Sequence, residues 1–366
     1  MPALTPDSRV FVAGHRGLVG SAVVRRLAAD GVEMVTRTSA ELDLRDGAAV
    51  RAFFEAEQPT HVVLAAAKVG GILANRDFPA DFVGDNLAIA YQVLMAAHEA
   101  GLGKTGRVVN LGSSCIYPRE APQPMKEEHL LTGPLEPTNR PYAVAKIAGI
   151  EIAEALHRQH GDDVINLMPT NLYGPGDNFD LQSSHVLPAL IRRFHEAKGA
   201  EADGSDAPVT LWGTGSPKRE FLHADDLADA VAFALRLDEA EMRVAAPDGL
   251  LNVGVGEDLS IRELAELIAP PAVDRASTGH GARVEGPHGH AGDRLDRDVL
   301  RRMGGVGARA TDTELSPPVR APALQLAGAP RHAGVRAHLD LSESGVESRG
   351  REIVLWREIQ RGDGNR

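Results

Sequence analysis

Short apolar runs rich in β-branched residues alternate with longer segments of helical period through the first half of the chain. The predicted strands cover residues 10–13, 33–36, 61–66, 107–111 and 164–167. The predicted helices cover residues 20–30, 48–58, 82–100 and 142–160. Because β-α units repeated in this order build parallel sheets, we predict an α/β fold with a doubly wound parallel Rossmann sheet.

The pattern divides the chain into three parts. Residues 1–174 are predicted to form a dinucleotide-binding Rossmann domain, to which later segments add strands. Residues 175–269 are predicted to form a smaller α/β substrate-binding lobe, because turn residues there surround one predicted helix at residues 186–197. Residues 270–366 are rich in Gly, Arg, His and Pro and follow neither period, which predicts an irregular or disordered tail.

Composition and charge argue against several classes of function. With 43% hydrophobic and 25% charged residues, the 366-residue chain is typical of a globular protein. A net charge of −12 argues against a nucleic-acid partner, which would require a basic surface. No apolar run approaches the roughly 20 residues of a membrane helix and no signal peptide precedes the first strand, so we expect a cytoplasmic protein without a membrane partner. The single cysteine, Cys115, cannot form an intramolecular disulfide or a thiolate zinc site alone, and we predict no metal site.

A glycine-rich loop connects the first predicted strand to the first predicted helix. It consists of Gly14, His15, Arg16, Gly17, Leu18, Val19 and Gly20. Glycines permit a tight turn close to a diphosphate, and the helix N-terminus adds N–H donors and a partial positive charge. Such loops also occur as ordinary turns, but the position between strand and helix predicts dinucleotide binding.

The end of the second strand indicates which dinucleotide binds. It reads Thr36-Arg37, without the acid that would bond the ribose 2′-OH of NAD, and Arg16 lies in the glycine loop. This favours NADP(H), with a solvated surface charge as the alternative for Arg37. Asp43, followed by Leu44, could bond the adenine amine or cap a helix.

Tyr142 and Lys146 lie four residues apart on one face of a predicted helix. An ammonium beside a phenol favours the phenolate, so we predict that Lys146 lowers the pKa of Tyr142 and lets it exchange a proton with a substrate oxygen. Ser113 follows a predicted strand at the edge where parallel sheets bind ligands, and its hydroxyl could orient a carbonyl. A Tyr-x-x-x-Lys pair alone is usually a surface pair, but together with the serine and the glycine loop it predicts a reductase site.

Two further residues indicate more than reduction. Cys115 follows the serines, and His185 precedes the helix predicted at residues 186–197. A thiol and an imidazole on opposite sides of a carbon next to a ketone can act as base and acid. Alone, the cysteine would more often be a small buried side chain and the histidine a helix cap or surface residue. Together in one site they would indicate epimerisation.

At these residues the chain resembles the GDP-L-fucose synthases, which are extended short-chain dehydrogenases/reductases of the NAD-dependent epimerase/dehydratase type. The resemblance runs nearly continuously from residue 9 to residue 267 and includes Leu111-Gly112-Ser113-Ser114-Cys115-Ile116-Tyr117-Pro118. The other matching motifs lie at residues 12–17, 65–72, 136–139, 168–175 and 219–223.

The resemblance implies a two-stage reaction on GDP-4-keto-6-deoxy-D-mannose with NADPH. Ser113, Tyr142 and Lys146 would be the reductase triad, whereas Cys115 and His185 would invert C3 and C5 before reduction at C4. Besides the glycine loop, the implied cofactor contacts are Arg37, Ser39, Asp43, Leu44, Leu111, Gly112, Ser114, Lys146, Pro169, Thr170, Asn171, Leu172 and His185.

The resemblance also implies substrate contacts and an oligomer. Arg193, Trp212 and Arg219 would bind the nucleotide sugar, because arginines suit a diphosphate and an indole offers an apolar platform. A homodimer would form through the helices predicted at residues 82–100 and 142–160.

The chain departs from the family's pattern in two places. Ser39 stands where the family carries a second arginine for the 2′-phosphate, which would weaken the preference for NADP. Beyond residue 267 the family's Pro-Asp-Gly-Thr-Pro stretch and closing helices do not appear. Out-of-frame translation of a GC-rich gene would give such a composition, so a frameshift near residues 270–283 is one hypothesis and a divergent tail is the other. Reading the gene in its other frames distinguishes them.

Two other functions share part of these features. A sugar-nucleotide 4-epimerase or 4,6-dehydratase would use the same loop, Tyr142 and Lys146, but Cys115 and His185 argue against both. A catalytically impaired NADP-binding homologue would keep the fold without turnover, which an aberrant C-terminus could cause.

Overall fold

A computed structural model describes residues 4–5, 7–202, 209–211, 213–269, 334–338 and 354–358. Numbered in chain order, its strands are β1 (Arg9–Ala13), β2 (Glu33–Val35), β3 (His61–Leu64), β4 (Val108–Leu111), β5 (Val164–Pro169), β6 (Asn171–Tyr173), β7 (Lys218–His223), β8 (Leu250–Gly254), β9 (Asp258–Ser260), β10 (Gly334–His338) and β11 (Val354–Glu358). Its α-helices are α1 (Leu18–Ala29), α2 (Gly47–Glu57), α3 (Ile72–Asp77), α4 (Pro79–Glu99), α5 (Leu102–Thr105), α6 (Arg140–His160), α7 (Val186–Ala202), α8 (Ala224–Arg236), α9 (Glu239–Ala245) and α10 (Ile261–Ile268).

The centre of the main sheet is parallel, as predicted. Six parallel strands lie in the order β8-β5-β4-β3-β1-β2, and β11 followed by β10 extends the β8 edge in antiparallel fashion. The five predicted strands and the predicted long helices are therefore confirmed, with small shifts at their ends. The start of α6 includes Pro141, and α4 begins at Pro79, positions where the missing N–H of proline has no helical partner to lose.

Both faces of the main sheet are covered by helices, which explains why its strands read as continuous apolar runs. Along β1, Val10 and Val12 point into a core that also contains residues of α1 and α8. Phe11 and Ala13 point to the other face, where residues of α2, α4 and α6 close a second core. Because side chains alternate along a strand, β1 contributes residues to two separate cores.

A smaller lobe follows the main sheet, at the position predicted for substrate binding. Its sheet has the order β6-β7-β9, in which β6 and β7 are parallel and β7 and β9 are antiparallel. Helices α7 and α10 pack on it through a core that includes Leu187, Leu190, Phe221 and Leu264. The sequence pattern predicted α7 but none of the three short strands.

The predicted tail contains two described strands that the sequence analysis did not identify. β11 pairs with β8, joining Leu355 to Val253, and β10 pairs with β11. Among the described residues, no helix is both long enough and apolar enough to cross a membrane.

A buried ion pair links the main sheet to α8 at the end of the strands opposite the glycine loop. Arg107 and Asp163, which precede β4 and β5, are 3% and 1% exposed. Their side chains meet through Arg107 Nη2 and Asp163 Oδ2 at 2.8 Å. Arg107 also donates to the carbonyls of Ala234 and Leu237 around the end of α8. Without Arg107, the nearest remaining cation to the buried Asp163 carboxylate is Arg243, whose Nη2 lies 4.0 Å from Asp163 Oδ1.

We predict that Arg107→Met lowers the free energy of unfolding by about 3–5 kcal/mol, because Asp163 and two carbonyl groups lose their donor. Urea denaturation followed by circular dichroism measures the change. Arg25→Met is the matched control, since Arg25 pairs with Asp225 on the surface and its loss costs at most about 1 kcal/mol. Equal losses in the two variants would contradict the prediction.

Candidate active site

The end of β4 forms the floor of the site. Gly112 donates its N–H to the Leu167 carbonyl, and a Cβ atom at Gly112 would lie only 1.6 Å from Cε of Met168. The Met168 side chain therefore fills the space that a side chain at Gly112 would need. Ser113 comes next in extended conformation, and its Oγ accepts the N–H of Cys115 at 3.4 Å, at the start of a 3-10 helix over Ser114–Ile116.

Helix α6 brings Tyr142 and Lys146 to the same place. Lys146 Nζ donates to the Leu111 carbonyl at 2.7 Å, which fastens α6 to the end of β4. The same Nζ lies 5.8 Å from the centre of the Tyr142 ring, and this ring packs edge-on against Phe82 with 6.4 Å between centroids. The helical spacing thus places the phenol and the ammonium side by side, as the sequence analysis expected.

Burial dominates the proton affinities of these groups. It lowers the pKa of Lys146 to about 8, while the adjacent Cys115 thiolate would oppose that shift. It raises the pKa of Cys115 to about 11, against the smaller opposite effects of the Ser113 hydrogen bond and the Lys146 charge. It also raises the pKa of Tyr142, to which Cys115 adds. The pKa of Tyr142 is therefore raised and not lowered in the free protein, contrary to the prediction, because removing the phenol from water disfavours the phenolate.

The glycine loop has the geometry that a dinucleotide diphosphate requires. Gly14 adopts φ +85°, and a Cβ there would lie 2.7 Å from Cα of Ala66, at the end of β3. A Cβ at Gly20 would lie 2.1 Å from the Gly14 carbonyl oxygen, so both positions require glycine. Gly17 begins α1 without a side-chain cap, and Leu18 and Val19 form its first turn beside His15 and the exposed Arg16. These residues fit a bound dinucleotide, since a cradle of bare backbone meets a helix N-terminus there.

The residues predicted for the adenosine end lie together after β2. Arg37 forms an ion pair with Glu57 and donates to the Thr36 carbonyl, whereas Ser39 is exposed. Arg37 is therefore not a freely solvated charge.

Asp43, which Leu44 follows in the same segment, is bound by Arg45. Arg45 donates to it through its backbone N–H at 3.0 Å and its guanidinium, which lowers the pKa of Asp43 to about 2. Asp46 rather than Asp43 caps α2, so the capping alternative for Asp43 is wrong.

The segment after β5 leads from the main sheet into the small lobe. Pro169 ends β5, and Thr170 donates its N–H to the Val253 carbonyl at 3.2 Å. Asn171 Nδ2 donates to the Glu220 carbonyl at 3.0 Å, which leads the chain through Leu172 into the small lobe. Thr170 Oγ1 is buried without a hydrogen-bond partner among the described residues, as expected where a ligand supplies the partner.

His185 lies immediately before α7 and is exposed on one side. The protein atoms around it desolvate the imidazole enough to lower its pKa. The preceding loop docks on the segment after β3, because Gly71 donates its N–H to the Ser183 carbonyl at 2.8 Å and has no room for a Cβ beside Ser184. This contact holds the loop that leads to His185 against the segment after β3.

Two of the predicted substrate residues, Arg193 and Arg219, lie in the small lobe. Arg193, on α7, donates to the Thr210 carbonyl at 3.0 Å, and Arg219, on β7, is exposed and donates to the Lys218 carbonyl at 2.6 Å. Trp212 lies outside the described residues. The described residues contain no group of three or more His, Cys, Asp or Glu side chains placed to hold a metal ion.

Asp177 is a polar residue of this region that the sequence analysis missed. Its Oδ2 is buried without a hydrogen-bond partner among the described residues, and burial raises its pKa to about 6. The preceding Gly176 faces Ser21 of α1, so the loop passes close to the glycine-loop helix. The sequence offered only a turn at Gly174-Pro175-Gly176, which does not indicate that the next carboxyl is buried.

Comparison with known proteins agrees with this arrangement. A model of the NAD dependent epimerase/dehydratase family matches residues 10–252. Over 261 residues the chain is 58% identical to a probable GDP-L-fucose synthase 1 of Oryza sativa subsp. japonica, which covers 71% of this chain and 76% of that relative. Over 264 residues it is 53% identical to the GDP-L-fucose synthase of Escherichia coli (strain K12), covering 71% and 80%. A solved GDP-L-fucose synthetase from Naegleria fowleri bound to NADP is similar with a TM-score of 0.62 and 29% identity, over 73% of this chain and 78% of that one.

We predict that the Cys115 thiol of the free protein ionises with a pKa of about 11, because burial disfavours the thiolate. The rate at which iodoacetamide alkylates Cys115, followed against pH by mass spectrometry, reports this titration, since the thiolate is the reactive form and the chain has one cysteine. Lys104→Met, which removes a cation beside Asp162, is the control and should leave the pH profile unchanged. A midpoint near the ordinary thiol value of about 8.5 would refute the prediction.

Proposed function

Because the chain belongs to the NAD dependent epimerase/dehydratase family, we propose that it epimerises GDP-4-keto-6-deoxy-D-mannose at C3 and C5 and then reduces C4 to give GDP-L-fucose. The observation that carries this function is the grouping of a thiol with a reductase triad. Ser113 and Cys115 share a hydrogen bond at the end of β4, and Lys146 reaches the same strand end from α6 beside Tyr142.

Both stages of the proposed reaction depend on the C4 ketone of the substrate. A carbonyl makes the C–H bonds on its neighbouring carbons acidic, so C3 and C5 are the positions open to inversion. We assign Cys115 as the base that removes these protons and His185 as the acid that returns a proton to the opposite face. A buried thiolate is a strong base, and the Ser113 hydroxyl and the Lys146 charge oppose part of the burial effect that disfavours it.

The reduction requires a proton at O4 as well as a hydride at C4. NADPH supplies the hydride when it is bound. Tyr142 is the proton donor in this assignment, and its raised pKa keeps the phenol protonated near neutral pH, which is the form that a donor needs. Ser113 donates a hydrogen bond to the same oxygen and holds the ketone at the sheet edge. Lys146 places positive charge where the phenolate develops.

The dinucleotide would lie across the glycine loop, with its adenosine end at Arg37 and Asp43. Arg16 and Arg37 favour the 2′-phosphate of NADP, and the Thr170 hydroxyl is free to bond the part of the ligand that reaches β5. Arg193, Trp212 and Arg219 are assigned to the nucleotide sugar, because guanidinium groups bind a diphosphate through charge-assisted bonds.

Helices α4 and α6 pack side by side and carry the proposed homodimer interface. On their outer face, Leu87, Tyr91 and Val144 are 40%, 47% and 42% exposed. Leu87 and Tyr91 are one helical turn apart, so they form a continuous apolar stripe that a second copy would cover.

Incubation of the purified protein with GDP-4-keto-6-deoxy-D-mannose and NADPH tests the proposed function. Oxidation of NADPH together with formation of GDP-L-fucose is expected. Binding of NADPH without its oxidation would instead indicate an NADP-binding homologue without turnover, and oxidation without inversion at C3 and C5 would indicate a simple reductase.

We predict that Cys115→Ser and Tyr142→Phe separate the two stages. Cys115→Ser should slow exchange of solvent deuterium into C3 and C5 by about 10²–10⁴-fold, because the hydroxyl is a much poorer base. Tyr142→Phe should leave this exchange in place and slow NADPH oxidation by a similar factor, because O4 loses its proton donor. Nuclear magnetic resonance of the sugar protons and absorbance at the NADPH band (about 340 nm) measure the two rates. The reverse pattern would contradict the assigned roles.

We predict that Leu87→Glu shifts the protein from dimer to monomer, because a buried charge without a partner opposes association. Sedimentation equilibrium measures the mass. Val244→Glu is the control, since Val244 is 61% exposed on α9 and should leave the mass unchanged. An unchanged dimer in Leu87→Glu would place the interface elsewhere.

A further inference from the structure

Three groups hold the Arg37 guanidinium at the adenosine end of the site. Its Nη2 forms an ion pair with Glu57, the last residue of α2, and its Nη1 donates to the Thr36 carbonyl at 2.8 Å. The guanidinium carbon lies 5.5 Å from the centre of the Phe53 ring, in cation–π contact. Arg37 therefore lies against α2, where the Glu57 carboxylate already binds one of the nitrogens of its guanidinium.

Glu57 is fixed from the other side as well. Arg9, the first residue of β1, binds Glu57 Oε2 through Nη2 at 2.7 Å. Arg9 also pairs with Glu33 at 2.8 Å, so it keeps one partner if Glu57 loses its charge. The Glu57 carboxylate thus bridges Arg9 and Arg37, and only its contact with Arg37 concerns the predicted cofactor site.

A second carboxylate lies four residues after Arg37. Glu41 Oε2 accepts the backbone N–H and the hydroxyl of Thr38 at 2.7 and 2.8 Å, which fixes its position in the turn that directly follows Arg37. These Thr38 hydrogen bonds lower the pKa of Glu41, and the charges of Arg37 and Arg16 add smaller contributions of the same sign. Glu41 is therefore ionised near neutral pH.

The charges around this position nearly cancel. Arg16 and Arg37 supply two positive charges, Glu41 and Glu57 supply two negative charges, and Ser39 adds none. An incoming 2′-phosphate carries about −1.5 to −2 charges near neutral pH, by analogy with other phosphate monoesters. It would compete with Glu57 for the donor fork of Arg37 and would be repelled by Glu41.

We propose that Glu57 and Glu41 determine cofactor specificity by competing with the 2′-phosphate for Arg37 and Arg16, so that the site distinguishes NADPH from NADH only weakly. The inference rests on the proposed function for the identity of the cofactor. It concerns only the adenosine end, because the carboxylates lie away from Ser113, Tyr142 and Lys146 at the end of β4 and the start of α6. Removing either carboxylate charge should strengthen binding of NADPH and leave binding of NADH unchanged.

Isosteric variants test the proposal. Glu57→Gln and Glu41→Gln remove the charge and keep an amide oxygen that can still accept hydrogen bonds. Each should raise the ratio of the NADH to the NADPH dissociation constant about 3–5-fold, the range expected for a half-exposed ion pair. Titration calorimetry with NADPH and NADH, without any sugar nucleotide, gives the dissociation constants.

Two controls isolate the 2′-phosphate. Titration with 2′,5′-ADP and 5′-AMP should reproduce the same change in ratio, because these fragments differ only in that phosphate. Glu33→Gln removes a carboxylate that also pairs with Arg9 but does not contact Arg37, and it should leave the ratio unchanged. Arg37→Met should bring the ratio close to one.

Weaker NADPH binding in Glu57→Gln, or equal changes for NADPH and NADH in both glutamine variants, would overturn the proposal, since Glu57 would then orient Arg37 rather than compete for it. Thermal melting of each variant verifies folding, and Glu41→Gln tests the same idea if Glu57→Gln does not fold. A failure of the sugar-nucleotide assay would not affect these ratios, so the two proposals fail independently.

Discussion

The hydrogen bond from the Lys146 ammonium to the Leu111 carbonyl joins the two elements on which the site is built. Leu111 ends β4, and the chain continues directly into Ser113 and Cys115. Lys146 lies one turn after Tyr142 on α6, so the bond fixes the phenol relative to the hydroxyl and the thiol. Its strength depends on burial, because a charged donor gains most where water cannot compete. The close packing of β4 against β5 at Gly112 provides that burial.

Burial also distributes protons among the side chains of the site. It lowers the pKa of Lys146 and raises the pKa values of Tyr142 and Cys115. Near neutral pH the free site thus contains the neutral side chains of Tyr142 and Cys115 beside the Lys146 ammonium, whose pKa of about 8 lies close to that pH. Tyr142 can give a proton to an oxygen directly from this state, whereas Cys115 must lose its own proton before it can take one from a carbon.

Much of the fold was readable from the sequence, because parallel strands buried on both faces give long apolar runs separated by helical periods. The placement of the predicted site residues was also readable, since Tyr142 and Lys146 lie one helical turn apart and Ser113 follows a strand. The sequence does not show which distant residues lie close together in space. Glu57 lies twenty residues after Arg37, and only the docking of α2 on the sheet brings them together.

The sign of the Tyr142 pKa shift was missed for a related reason, because the sequence shows a neighbouring cation but not the loss of water around the phenol. The strands β6, β7 and β9 were missed because they are short and lie in a mixed sheet, where neither the apolar run nor the alternation is long enough to detect.

The raised pKa of Cys115 has a consequence for the chemical durability of the protein. With a pKa of about 11, the fraction of the sulfur present as thiolate near neutral pH is on the order of 10⁻⁴. Peroxides attack the thiolate rather than the thiol, so the first step toward sulfenic acid is slow. No second cysteine exists in the chain to resolve such an oxidised sulfur as an intramolecular disulfide. The burial that raises the pKa of Cys115 therefore also slows the oxidation of the single thiol in the chain.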